Sequence, residues 1–131
     1  MRHLLLAVSA LVLTSVPAQA AWDPAAFSQE ETLEFLTVAP DGEEHWSTVW
    51  LVVLDGQVYL RLGSRAAERF EASTIKPKLK IRIAGQTFDD VTGVPAPEQA
   101  DAVAAAMHEK YWSDVFIQYF SHPLTLRLTP G

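Results

Sequence analysis

The stretch Val49-Trp50-Leu51-Val52-Val53-Leu54, followed at once by Asp55-Gly56 and then by Gln57 to Leu62, constrains this chain more than any other feature. Asp-Gly between two apolar runs is the strongest short signal for a two-residue β-hairpin, because both turn residues must take positive φ. The first run is apolar at every position, so it has no solvent face. A strand of that kind is buried on both sides, either in a closed barrel or under a partner subunit.

The flanking segments extend the pattern. Thr32 to Val38 reads as a strand with Leu33 and Phe35 on one face and Leu36 and Val38 on the other, and Pro40-Asp41-Gly42 is a turn. Pro77 to Ala84 alternates, placing Leu79, Ile81 and Ile83 inward and Lys78, Lys80 and Arg82 outward. Thr87 to Val94 and the segment opened by Pro123 supply two further strands. Two longer helices are expected: a short one over Arg65 to Ala72 capped by Ser64, and a long one over Glu98 to Trp112 with Ala100, Val103, Met107 and Tyr111 as its apolar stripe. A brief helical turn after Asp23-Pro24 precedes them. Six short strands joined mainly by hairpins close into a small barrel, with a sandwich or an open α+β sheet as the other architecture.

The first twenty residues are not part of that domain. Met1-Arg2-His3 opens with positive charge, an uncharged apolar run follows from Leu4 to Val16, and Ala18-Gln19-Ala20 places small residues where a leader peptidase cuts. The run is shorter than the about 20 apolar residues a membrane span needs. The expectation is a cleaved signal peptide over 1–20, a single mature domain over 21–131, a periplasmic or secreted location, and no membrane span after cleavage.

Composition then narrows the chemistry. The chain has no cysteine, which removes disulfides, thiol catalysis and thiolate metal sites. Its formal charge of -6 argues against nucleic acid as a partner. His45, His108 and His122 do not sit at ligand spacing, so no metal is expected, and no G-x-S-x-G elbow, S-x-x-K, G-x-G-x-x-G or Walker loop occurs. Asp89-Asp90 is set aside as a carboxylate pair because neighbouring strand residues face opposite sides of a sheet.

The charge is segregated. Arg61, Arg65, Arg69, Lys76, Lys78, Lys80 and Arg82 stand within one stretch, opposed only by Glu68 and Glu71. Such a cluster suggests an anion site, against the plainer reading of a solvated basic face. Arg61, Ser64 and Arg65 offer planar guanidinium donors, a hydroxyl and helix-start N–H groups to a phosphate, with Lys78 and Lys80 closing the ring of charge. Trp46, Trp50 and Tyr59 would give a planar ligand a platform, or simply pack.

The order HWSTVWLVVLDGQVYLRLGS, an Arg-rich short helix, PKLKIRIAGQTFDDV, a helix ending EKYW, and HPLTLRLTP resembles the FMN-binding split barrel. That superfamily holds pyridoxamine-phosphate-oxidase-like and deazaflavin-dependent, nitroreductase-like proteins, and the likeness is to an uncharacterised, exported branch. The resemblance implies a six-stranded Greek-key split barrel, a homodimer, and FMN or a deazaflavin in a groove at the subunit interface. It places Ser47 and Thr48 near the flavin ring, Arg61, Ser64 and Arg65 on the phosphate, and Lys78 and Lys80 as further basic contacts. It implies an oxidoreductase-like protein of unnamed substrate, with no catalytic acid or base identifiable. The alternative is a non-catalytic binding module for a small anionic or aromatic ligand such as a nucleotide or haem, or a protein that uses the basic strip to bind a partner.

Overall fold

A computed structural model of the chain describes residues 21–111 and 123–131. Asp55 and Gly56, with φ of 51° and 72°, turn β2 (Glu44–Leu54) directly into β3 (Gln57–Leu62), and Leu54 pairs with Gln57 across the turn. Ala84 and Gly85 repeat the device with φ of 52° and 74° between β4 (Lys78–Ile83) and β5 (Gln86–Pro95). Positive φ at both turn residues matches the twist of the flanking strands.

These hairpins, with β1 (Thr32–Val38) and β6 (Leu124–Pro130), form a closed barrel in the order β1-β2-β3-β6-β5-β4, antiparallel at every step. Among the described residues three α-helices accompany it: α1 (Pro24–Phe27), α2 (Ser64–Ala72) and α3 (Ala100–Lys110). Six antiparallel strands closed in Greek-key order are the split-barrel architecture expected from the sequence.

The double burial of β2 has two separate causes. Leu51 points into the barrel with Leu33, Phe35, Val58, Leu60, Ile81 and Leu126. Its neighbour Val52 points outward, where α3 covers it and Tyr59 with Val103, Met107 and Tyr111. A fully buried side chain of this size contributes about 1.5–3 kcal/mol, which fixes α3 to this wall. The second covering layer of β2 is therefore a helix of the same chain.

Both barrel ends are plugged. At one end α2 inserts Phe70 and Ala67, and Ser73 Oγ just beyond the helix accepts a hydrogen bond of 3.0 Å from the Val38 amide at the end of β1. At the other end Trp22, Phe27 and Phe88 meet edge to face, with centroids 5.1–5.8 Å apart.

Three local expectations are corrected. Gly63, not Ser64, caps α2, and Ser64 is its first residue. The long helix begins at Ala100 after a 3-10 turn over Pro97–Gln99, because Ala96 is first tied by its amide to the Thr125 carbonyl of β6; Trp112 lies outside the described residues. Finally, Asp89 and Asp90 do not face opposite sides. Leu79 pairs with Val91 but Ile81 pairs with Phe88, so a bulge sets two β5 residues against Lys80 and turns both carboxylates outward.

Candidate functional site

The helix α2 leaves the end of β3 and must bury Phe70 to close the barrel, and this fixes which of its sides faces the β1–β2 rim. Arg65 and Arg69 stand four residues apart, one turn on the same side. Both line a cavity of about 500 Å³ whose opposite wall is Thr37 and His45, partners across β1 and β2. Glu43 and Glu68 also border it, and neither forms an ion pair with either arginine.

The other cations are engaged. Lys76 pairs with Glu71 at 2.6 Å, Lys78 with Asp90 at 2.7 Å, Lys80 with Asp89 at 3.6 Å and Arg127 with Glu98 at 3.7 Å. Arg82 lies 3.7 Å over the Trp46 ring. Lys110 Nζ donates to the carbonyls of Glu30 and Leu51, and burial lowers its pKa from the usual lysine value. Arg61 is engaged as well. Among the described residues, Arg65 and Arg69 are the cations left with no hydrogen bond, ion pair or ring contact. A guanidinium directed into a cavity without a counter-ion is a ready anion receptor.

Ser47, by contrast, lies inside the barrel and does not border this cavity. Ser47 is inward-facing, two residues along β2 from His45 and so about 7 Å deeper on the same face. It is 6% exposed and its Oγ has no hydrogen-bond partner. A buried hydroxyl left unmet costs about 1–3 kcal/mol.

The remaining sequence-predicted residues are dispersed. Thr48 faces the opposite side of β2 from Ser47 and borders a different cavity, of about 550 Å³, with Arg82, Glu30 and Glu34. Ser64 is exposed at the start of α2. Arg61 lies on the outer face of β3, while Lys78 and Lys80 lie on β4, three strands away in either direction round the barrel. One barrel thus brings Ser64 and Arg65 near the end of β3 but separates them from the β4 lysines. The aromatic platform is taken up by packing: Tyr59 is buried under α3, Trp50 stacks on Tyr111 with centroids 4.6 Å apart, and Trp46 carries Arg82. Arg69, His45 and Thr37 join the site without having been singled out. The i, i+4 spacing of Arg65 and Arg69 was the available signal; the strand pairing that brings His45 opposite them was not.

No family model and no curated protein matches the sequence. Solved structures do. The haem storage protein HutZ from Vibrio cholerae superposes with a TM-score of 0.58 at 21% identity, covering 82% of this chain and 87% of that one. Rv2991, a conserved hypothetical protein from Mycobacterium tuberculosis, gives 0.59 at 20% identity, covering 86% and 83%. An F420-H2 dependent reductase, FDR-A, gives 0.56 at 12% identity, covering 76% and 95%. The chain is a split barrel. At these identities the likeness is one of fold, so the chemistry of this split barrel has to be argued from its own cavity.

Proposed function

We propose that this split barrel is an exported protein that binds FMN or a deazaflavin and serves an oxidoreductase-like role. The observation that carries the reading is the pair Arg65 and Arg69, without ion pairs among the described residues and lining one cavity. These two guanidinium groups fit a phosphate end, with His45 and Thr37 on the facing wall of the cavity. Such a cofactor would supply the hydride or electron chemistry, and the protein would hold and orient it. The likeness to an F420-H2 dependent reductase supports the same choice of ligand class.

The spread of the basic residues supports a homodimer. A single site that uses both Arg61 and Lys78 or Lys80 has to take β3 from one copy and β4 from the other. On this reading the β4 lysines exchange Asp89 and Asp90 for the ligand or for the second subunit.

A second reading is a non-catalytic module for a haem-like ligand. Its supports are the likeness to a haem storage protein and the packing of Trp46, Trp50 and Tyr59, which leaves a flavin ring without the expected platform. Carboxylates of such a ligand would use the same two arginines.

The test is the visible absorption spectrum of the protein purified from its export compartment, before and after adding FMN, a deazaflavin or haem. A flavin or deazaflavin band that co-elutes and bleaches on reduction supports the first reading. Haem uptake with neither flavin bound supports the second, and a protein that takes up none of them refutes both.

A further inference from the structure

The β5 bulge gives the barrel an acidic cleft with an unusual fourth wall. Asp89 and Asp90, both turned outward, border a cavity of about 270 Å³ with Phe88, Pro130, Trp22 and Ala21. Ala21 borders the cleft, and the side chain of the next residue, Trp22, packs edge to face on Phe27 and Phe88 at 5.1 and 5.2 Å.

The two carboxylates are unequally satisfied. Lys78 donates to Asp90 at 2.7 Å. Lys80 is 3.6 Å from Asp89, outside hydrogen-bond reach, and the Asp89 carboxylate accepts no hydrogen bond among the described residues. These lysines are the other charged side chains facing the pair, and no further charged side chain borders the cleft.

Ala21 is also the residue that follows the small-x-small signal of Ala18-Gln19-Ala20. In the precursor its nitrogen is an uncharged amide with one proton. Leader removal adds water across the Ala20–Ala21 peptide bond. The new carboxylate departs with the leader, and the Ala21 amine takes a proton to become an ammonium with three donors. We infer that this ammonium binds Asp89 in the cleft, with Asp90 beside it, so that processing creates an anchor for the N-terminal segment that the precursor lacks. The inference rests on the export part of the proposed function and is independent of the ligand. Its consequence is directional: the chain gains stability only once it is across the membrane, which suits export of an unfolded precursor.

The experiment starts from the full chain expressed with its own leader in an export-competent bacterial host. Intact mass of the exported product reads the new terminus, and Ala21 is expected. The product is then acetylated selectively near neutral pH, where the α-amine (pKa about 7.7–8.0) reacts ahead of lysine (about 10.4). Acetylation is expected to lower Tm by about 2–4 °C in the native sequence and to leave Asp89→Asn unchanged. An equal drop in both proteins, or no drop in the native sequence, overturns the anchor while leaving the export reading intact. A terminus at any residue other than Ala21 overturns the cleavage boundary and the anchor together. Asp89 is exposed, so its substitution leaves the core untouched, and Asp90→Asn provides a second variant on the same cleft.

Discussion

Phe70 rests directly on Gly93: a Cβ built at Gly93 would lie 3.0 Å from Phe70 Cε1 and 3.0 Å from Leu79 Cδ1. Gly93 faces into the barrel on β5, and the helix plug occupies the space a side chain would need. All three residues are buried, so neither neighbour can yield toward solvent. Gly93→Ala is therefore expected to cost about 1–3 kcal/mol by overpacking. Phe70→Ala is expected to cost about 3–5 kcal/mol as a cavity. The two together should cost less than their sum, since removing the ring makes room for the methyl. Urea unfolding of the three variants measures this; strict additivity would show that the plug does not press on Gly93.

The contact of Tyr111 with the start of β1 predicts an alkaline effect. Its hydroxyl lies 2.6 Å from the Glu31 carbonyl and 2.7 Å from that of Leu51, donating its one proton to either, and burial pushes its pKa up to about 12 from 10.0. The folded chain thus keeps a proton that the unfolded chain loses. The stabilisation is complete below pH 10 and is lost as pH rises toward about 12. Lys110, whose pKa is lowered, acts in the opposite sense just below 10.5, so the comparison must be made against Tyr111→Phe. That variant is expected to lose about 0.5–1.5 kcal/mol at pH 7, because Leu51 O keeps Lys110 and Glu31 O keeps the Leu51 amide. It should also lack the stability loss between pH 10 and 12 that the native chain shows in chemical unfolding.

The lysines of β4 give a prediction about assembly. Their pairs with Asp89 and Asp90 are well exposed, so Lys78→Ala and Lys80→Ala should each change stability by no more than about 0.5 kcal/mol. In the proposed homodimer they should nonetheless weaken ligand binding, because β4 of one copy completes the site on β3 of the other. Ligand retention should then fall when the protein is diluted through its dimer–monomer transition. Analytical ultracentrifugation with parallel fluorescence titration reads both, and retention independent of dilution would place the whole site on one barrel.

Arg82 over Trp46 is a cation–π pair on the outer wall. Arg82→Ala is expected to cost about 0.5–1 kcal/mol and to change the fluorescence of the half-buried Trp46. An unaltered emission spectrum would mean that the guanidinium does not occupy the ring face in solution.

Much of the fold is legible in the residues because each signal is local. Asp55-Gly56 sets its own φ values, and the alternation of Leu79, Ile81 and Ile83 needs only the pleat. The site is less legible because its determinants are long-range. The basic run from Arg61 to Arg82 looks like one patch in sequence, yet closure of the barrel puts β3 and β4 on opposite walls. The acids that pair with Lys78 and Lys80, Asp90 and Asp89, come from the next strand and are aligned by a bulge that strict alternation does not foresee. Arg65 belongs to the expected set and stays in it, whereas Arg69 and His45 join only through the way α2 lies across the ends of β1 and β2. Thr48 and Ser47 part company for the simplest reason, the two-residue period of a strand.

In the proposed site Arg65 and Arg69 hold the anionic end of the ligand. The decisive experiment titrates FMN, a deazaflavin and haem into the purified protein and into Arg65→Ala, Arg69→Ala and the double variant, with thermal melts to establish that each is folded. A charge-assisted contact of about 1.5–3 kcal/mol corresponds to a loss of roughly tenfold to a hundredfold in affinity per arginine. Such losses are expected for both single variants, with near-complete loss in the double variant at unchanged Tm. Binding of any of the three ligands that survives the double substitution undiminished would contradict that role of the two arginines.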